Sequence, residues 1–501
     1  MFVRKKKNRS GSSSIQIIKK INRVNKVIKT IGSSKDPDEI NRLYQKGLYE
    51  LPRLFGATLF DHIKEPEISE LSNDNIRIVG PELVFGKIFN HIGFSVIKDS
   101  LFRDLCISRI THPGSKLQLS KYLRENNRKD ISEDRIYYFM DRLNTRYKDQ
   151  VEEISFGYTK KILGGDIGIV FYDMTTIYFE SDHGDEFRKT GFSKEGKHQH
   201  PQIYLGLLVG KNGYPIGYDV FEGGIYEGHT LIPVLERFEK RFNLQKPIVV
   251  ADAGLLSSDN ITALINRQYN FILGARIKNE SAKIKKQILQ LKLSDGQVEK
   301  IIKEDNTNLF ISYSQKRASK DAYNREKGLK RLEKSLKAGR LTKSNINNRG
   351  YNKYLKLKGE VKIEIDYQKF ENDQEWDGLK GYITNANLTG TEVIEIYNNL
   401  WMIEKAFRIS KTDLKIRPIY HRLRDRIEAH ICISFVSYLV FKEFERALLE
   451  SNSKISINQA IKQINKMHEV VFQYSNGNKQ RVLLKNNPTQ ELIMNVINDS
   501  F

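Results

Sequence analysis

An α/β fold around a mixed sheet is what residues 165–276 predict, from the order of their apolar segments, the lengths of the links and the placing of two aspartates. "DIGIVFYDMTTIYFES", "PQIYLGLLVG" and "YPIGYDVFEG" read as three strands, the last two joined by the turn "KNG" at 211–213. "HTLIPVLERFEKRF" has helical periodicity, and "KPIVVAD" is a buried strand ending at Asp252. "SSDNITALINRQY" is a helix opened by capping residues, and "NFILGARI" is a further strand. Hairpin-length links imply antiparallel pairs and helical crossovers imply parallel ones, so both are expected in one sheet.

Residues 1–80 form a basic segment broken by "SSKDPDE" and "SNDN". Residues 81–160 are expected to be helical, because "PELVFGKIFNHIGF", "DSLFRDLCISRI" and "SEDRIYYFMDRLNTRYKDQVEEI" space their apolar residues by three and four. Between them "THPGSKLQLSKYLRENNRKD" is a turn followed by a basic segment; such a helical region either reads DNA or simply packs. The core is expected over 161–276 and again over 386–445. The intervening 277–385 reads as an inserted, partly β subdomain whose strands are "NLFISYSQ", "GEVKIEIDYQKF" and "LKGYITN". Within it, residues 316–359 are densely basic with interleaved tyrosines, a composition that neutralises phosphates or coats a solvated helix. Residues 446–501 carry no motif.

At 501 residues, with 29% charged and 39% hydrophobic side chains, the chain is expected to fold as several globular domains rather than stay disordered. Its net charge of +22 suits a polyanionic partner, of which nucleic acid is the commonest. Cys106 and Cys432 stand in no metal-ligand spacing, so neither a disulfide framework nor a structural zinc site is expected. The basic start lacks the apolar core of a secretory signal, and the most apolar stretch, "ICISFVSYLVF" at 431–441, is too short to span a bilayer. A soluble, cytoplasmic protein with no membrane partner is the expectation.

Asp173 and Asp252 follow the apolar runs "IVFY" and "IVVA". A carboxylate leaving a buried strand needs an arginine, a helix N-terminus or a metal, because an unpaired buried charge is costly. Where two such strands are neighbours the acids meet, and a hard divalent cation resolves their repulsion. A third acid lies in "TEVIEIYNNLWMIEKAFRISK" at 391–411, read as one helix on which Tyr397, Leu400, Glu404, Arg408 and Lys411 share a face. That face either gathers a carboxylate with phosphate-binding groups or pairs Glu404 with Arg408. His183, His198 and His200 fall in a polar loop and read as surface or DNA-backbone residues rather than ligands.

The "DMT" strand, the block "GFSKEGKHQHPQIYLGLLVGKNGYPIGYDVFEGGIYEGHTLIPVL", "VVADAGLLSSDNI" and "YNNLWMIEKAFRISKTDLKIRPIYH" together resemble the DDE transposases of bacterial insertion sequences. The resemblance spans roughly residues 80–445 and is to the subgroup with a Tyr, Arg, Glu, Lys helix signature, the IS-four type. It implies a ribonuclease H-like catalytic core holding an inserted subdomain. It also implies that Asp173, Asp252 and Glu404 are catalytic acids binding Mg2+ or Mn2+, two ions, and that Tyr397 and Lys411 contact DNA. The signature's arginine position is Leu400 here, so either Arg408 supplies that phosphate contact or the copy is weakened. The implied partner is double-stranded DNA, both element ends and target, bound by at least a homodimer in the bacterial cytoplasm.

Two rivals stand beside this reading. A phosphohydrolase of the haloacid dehalogenase type also sets an aspartate after an apolar strand, but it wants an acid where this chain has Thr175. A transposase-derived DNA-binding protein that has lost catalysis is the other, with Leu400 as its support.

Overall fold

A computed structural model describes the chain except residues 22–23, 52–53, 55–71, 73–74, 128, 182, 192, 194–195, 349, 359–361 and 475–477. It divides into two compact units, one of Met1–Arg77 with Glu469–Leu483 and one of Ile78–His468 with Leu484–Phe501.

The first unit contains structure that the sequence reading missed. Phe2–Lys7, Ser13–Ile21 and Val24–Ser34 form an antiparallel sheet, and the helix Pro37–Glu50 packs on it. Ile15, Ile17 and Ile18 are fully buried, and Gly47 lets the helix approach Val3 and Ile15. The hairpin of His468–Gln473 and Lys479–Leu483 pairs Glu469 with Leu483.

In the second unit eight strands make one sheet: β1 (Ile169–Tyr178), β2 (Gln202–Val209), β3 (Pro215–Glu222), β4 (Ile248–Ala251), β5 (Phe271–Ala275), β6 (Val298–Ile302), β7 (Asn308–Tyr313) and β8 (Leu379–Thr384). Their order across the sheet is β6-β7-β8-β5-β4-β1-β2-β3. β1 with β4 and β4 with β5 are parallel, and the other pairs are antiparallel; the short β2–β3 turn and the helical β4–β5 crossover follow the link-length expectation. The β2–β3 turn closes on Asn212 and Gly213, both at positive φ. This is a ribonuclease H-like mixed sheet, the predicted α/β class.

The segment 277–385 differs from expectation. Its strands β6, β7 and β8 extend the main sheet instead of forming one of their own, because β8 pairs directly with β5. The hairpin Leu355–Lys358 with Lys362–Ile365 and the helix Gln315–Lys337 build a separate small core around Leu332, Tyr354, Leu355 and Ile365, and a second one gathers Ile277, Ile288, Ile301, Leu309 and Ile311.

One face of the sheet carries the helices Leu231–Phe242 and Ser258–Asn266 over Val170, Tyr172, Val249 and Leu273. The other meets the long helix Arg424–Glu450, which also packs against Lys87–Ile92, Ser100–Thr111, Glu133–Arg142, Lys148–Ile162 and Pro488–Ser500. The helices of 81–160 therefore share a core with the eight-stranded sheet rather than standing alone. The apolar run 431–441 lies inside that long helix. Among the described residues no helix is long and apolar enough to cross a membrane. Cys106 and Cys432 are buried free thiols.

The long helix buries an ion pair. Glu443 is fully buried, and its Oε2 accepts from Arg446 Nη2 at 2.8 Å and Nε at 3.1 Å. Removing only the cation strands a buried charge, which costs about 3–5 kcal/mol. Arg446→Met is expected to lower the urea-unfolding free energy by about that amount. Adding Glu443→Gln should recover most of the loss.

A candidate active site on one sheet face

Asp173 sits midway along β1 and not at its end, because Thr175, Thr176, Ile177 and Tyr178 continue the β-prone run. Its Oδ1 accepts the Met174 N–H at 2.7 Å. The parallel ladder between β1 and β4 pairs Tyr172 with Ala251 as its last rung. The next residue on each strand is an aspartate, so Asp173 and Asp252 stand side by side on strands spaced about 4.8 Å apart. Both share the face of Phe171 and Val250, two residues earlier. Asp252 Oδ1 accepts the Gly254 N–H at 2.8 Å.

The single helix expected over 391–411 is interrupted. Gly390–Asn398 opens with a capping box of Thr389 and Glu392, a turn at Asn399 and Leu400 breaks it, and Trp401–Arg408 follows. Ile409–Asp413 is then wound as a π-turn. The asparagine pair accounts for the break, since such side chains compete for backbone groups, and Asn399 Nδ2 donates to the Glu395 carbonyl at 3.1 Å. The five signature positions therefore do not form one straight stripe. Tyr397 and Leu400 are buried in the core, Glu404 and Arg408 are exposed, and Lys411 is half-buried. Leucine suits position 400 because the site is apolar.

Trp401–Arg408 packs across β1 and β2, which brings Glu404 to the same side of the sheet as the aspartates. Tyr397 links all three. Its hydroxyl lies on β5, where a methyl on Gly274 would come within 2.5 Å of Oη and 3.1 Å of the Ala253 nitrogen. Burial pushes this phenol well above its usual range, and Asp252, Tyr382, Glu404 and Asp173 push the same way. Even so, among the described residues no three carboxylates, imidazoles or thiols gather around one point. Like charges repel, and Glu404 is held on a solvent-facing helix position.

Two residues here escaped the sequence reading. Glu227 heads a short turn after β3, and a methyl on Gly254 would lie 2.9 Å from Asp252 Oδ1 and 3.3 Å from Glu227 Oε2. These two carboxylates thus flank one glycine. Lys380, on β8, holds its ammonium 4.4 Å from the Tyr397 ring centroid and 5.0 Å from that of Tyr382. Burial pushes its pKa down, Arg317 does so further, and Glu404 opposes them. The sequence signal for Lys380 was a charge at an inward position of "LKGYIT", in phase with Tyr382. In the polar loop, His198 Nδ1 accepts the Ser193 N–H at 3.0 Å and the His200 ring lies 6.1 Å from that of Tyr178.

Residues 164–440 match the family model described as the transposase DDE domain. No curated protein matches the chain. Among solved structures, it aligns with a piggyBac transposase synaptic complex with hairpin DNA at 9% identity and a TM-score of 0.40, over 77% of this chain and 78% of that one. It aligns with the Mos1 transposase paired-end complex with left transposon end at 10% identity and a TM-score of 0.16, over 48% and 68%. Likeness at that level adds nothing to what the strand order already shows.

The Gly274 contact predicts a double-mutant result. Gly274→Ala should destabilise the protein by about 1–3 kcal/mol through overpacking against Tyr397. Tyr397→Phe in the same chain should return part of that, because the hydroxyl is the nearest atom in the clash. Equal losses with and without the hydroxyl, measured by urea unfolding, would count against this packing.

Proposed function

The chain belongs to the transposase DDE domain family, and on that premise we propose that it cuts and joins DNA at insertion-sequence ends by metal-dependent phosphoryl transfer of the cut-and-paste kind. It is read as a member of the subgroup with the Tyr, Arg, Glu, Lys helix signature. The observation that carries the reading is the parallel register that sets Asp173 beside Asp252, under a phenol on which Glu404 also acts.

Asp173, Asp252 and Glu404 are the proposed catalytic acids and would hold Mg2+ or Mn2+, two ions in number. Their hard oxygen donors fit those ions, and a cation answers the repulsion between adjacent carboxylates. When bound, such ions supply an activated water or hydroxyl nucleophile and stabilise the leaving 3' oxygen. The chain's own residues do the rest. Two hydrogen-bonded strands hold the aspartates rigidly, and Tyr397 and Lys380 offer a hydroxyl and a cation beside them for a DNA phosphate. Arg408 and Lys411 extend the contact, and the charge of +22 draws double-stranded DNA, element ends and target alike. Joining two ends calls for at least a homodimer, acting on the bacterial nucleoid in the cytoplasm.

The reading of a transposase-derived DNA-binding protein that has lost catalysis draws on Leu400. Its apolar surroundings weaken that support, since arginine would be out of place there, and Lys380 presents a cation to the neighbouring Tyr397. The phosphohydrolase reading meets a buried Thr175 at the position where it needs a second acid.

With a duplex carrying the element's own ends, wild type is expected to cleave in Mg2+ or Mn2+ and to stop on chelation. Asp173→Asn, Asp252→Asn and Glu404→Gln should still bind DNA but cleave about a thousandfold more slowly, a loss of about 4 kcal/mol of transition-state stabilisation. Binding without cleavage by wild type would instead favour the decayed protein. Lys380→Met is expected to slow single-turnover cleavage at saturating DNA by about ten- to a hundredfold, with Lys380→Arg retaining most of the rate. Equal defects in both would mean that Lys380 only supports the Tyr397 ring.

A further inference from the structure

The turn "THPGSK" and the segment after the Glu404 helix enclose a second feature that the proposed chemistry does not use. Arg109, Lys116, Lys415, Arg417, His421 and His430 line a cavity of about 430 Å3. Arg109 and Lys116 are 5% and 6% exposed, so two cationic side chains are buried together. Arg109 is anchored, donating to the carbonyls of Leu414 at 3.5 Å and Lys415 at 3.3 Å. It also lies 3.3 Å from His430 Nδ1, while His430 Nε2 lies 2.9 Å from the Ile416 carbonyl. Nε2 must then carry the proton and Nδ1 accept from the guanidinium, which leaves His430 neutral.

Lys116 is different. It forms no hydrogen bond or ion pair with any described residue, although it is more than nine-tenths buried. Among the described residues the one acid lining the cavity is Glu133, which accepts from the Tyr137 hydroxyl at 3.4 Å. Burial, followed by the charges of Lys116 and Arg109, pushes His421 down to about 3, so neither imidazole adds or cancels charge near neutrality. Lys116 also begins the helix Lys116–Asn127. Ser115 and Gln118 cap that helix through Ser115 N–H to Gln118 Oε1 at 3.0 Å and Gln118 N–H to Ser115 Oγ at 3.2 Å. The N–H groups of Lys116 and Leu117 have no intrahelical acceptor and lie at the positive end of the helix. Burial, and after it the charge of Arg109, pushes the Lys116 ammonium well below its ordinary range; a tetrahedral anion entering the cavity would favour the charged ammonium while meeting the guanidinium and a helix N-terminus.

We propose that this cavity is a phosphate-binding site that grips one backbone phosphate of the DNA, apart from the acids that cut it. The assignment to DNA rests on the function proposed above. It is supported by position: Arg417 lies 5.7 Å from the ring centroid of Tyr178, and Ile419 bridges Phe179 at the end of β1. Tyr178 follows Asp173 by five residues, on the order of 17 Å along the strand. A single duplex spans that interval, so the site would set the distance between a held phosphate and the point of cleavage.

The test uses the full chain, inorganic phosphate as probe, and Lys116→Met beside Lys116→Arg. Phosphate should raise the Tm of wild type and of Lys116→Arg along a saturating curve and leave Lys116→Met unmoved. A DNA duplex should displace the phosphate. For DNA itself, Lys116→Met should bind all sequences more weakly, with the slope of log affinity against log salt reduced by about one. Lys415→Asn, at the exposed rim and compatible with the φ of 46° there, should produce a smaller change of the same kind and guards against a misfolded Lys116 variant. A phosphate response that survives in Lys116→Met overturns the site. A response that depends on Lys116 but is indifferent to DNA overturns the DNA assignment in favour of a free phosphate compound. Wild type that takes phosphate in competition with DNA yet never cleaves would leave the site standing and remove the transposase activity alone.

Discussion

The parallel pairing of β1 with β4 is the constraint from which the rest of the candidate site follows. Its last rung, Tyr172 with Ala251, leaves one aspartate on each strand at the same height and on the same face. A shift of one residue would send one acid to the opposite face, among Val249, Leu273 and the helices behind them. The apolar runs before each aspartate prevent such a shift, because Phe171 and Val250 must enter one core while Val170 and Val249 enter the other. Hydrophobic patterning thus sets the distance between two charges.

A second constraint is the long helix Arg424–Glu450, buried along most of its length. It carries ion pairs outward to the helices around it, Glu428 with Lys148 at 2.7 Å and Arg426 with Asp141 at 2.7 Å. It also joins the helical region before the sheet to the turn of the β2–β3 hairpin, through Tyr438 donating to the Gly213 carbonyl at 2.8 Å. The helix that bears Glu404 is held between this scaffold and β1. The position of the third acid is therefore decided by packing against a helix that begins 20 residues after it, at Arg424, and that packing has to absorb charge as well as apolar surface.

Charge is the recurring expense of this molecule. Asp173 with Asp252, Asp252 with Glu227, Lys380 over two tyrosines and Lys116 beside Arg109 all gather polar groups where water is scarce. Elsewhere the same chain neutralises its buried charges, as with Glu443 and Arg446 or Glu445 between Lys405 and Lys442.

The sheet class and the succession of elements from β1 to β5 along the chain were legible in the sequence, because alternation, capping and link length are local properties that strands and helices must obey, whereas the adjacency of β1 and β4 that brings Asp173 to Asp252 came from the tertiary structure. The continuity of 391–411 was misread, since its apolar spacing survives the turn that Asn399 introduces. The first unit's sheet was also missed, its alternation being hidden among lysines. β7 and β8 were recognised as strands and β6 was not, and nothing local could say that β8 would pair with β5 and carry Lys380 to Tyr397. Nor could spacing bring Lys116 to Arg417, three hundred residues later. Sequence by itself determined the elements and the chemistry each could bear. Only the tertiary structure decided which charges meet, because partners distant in the chain are chosen by the burial of whole faces and not by the residues beside them.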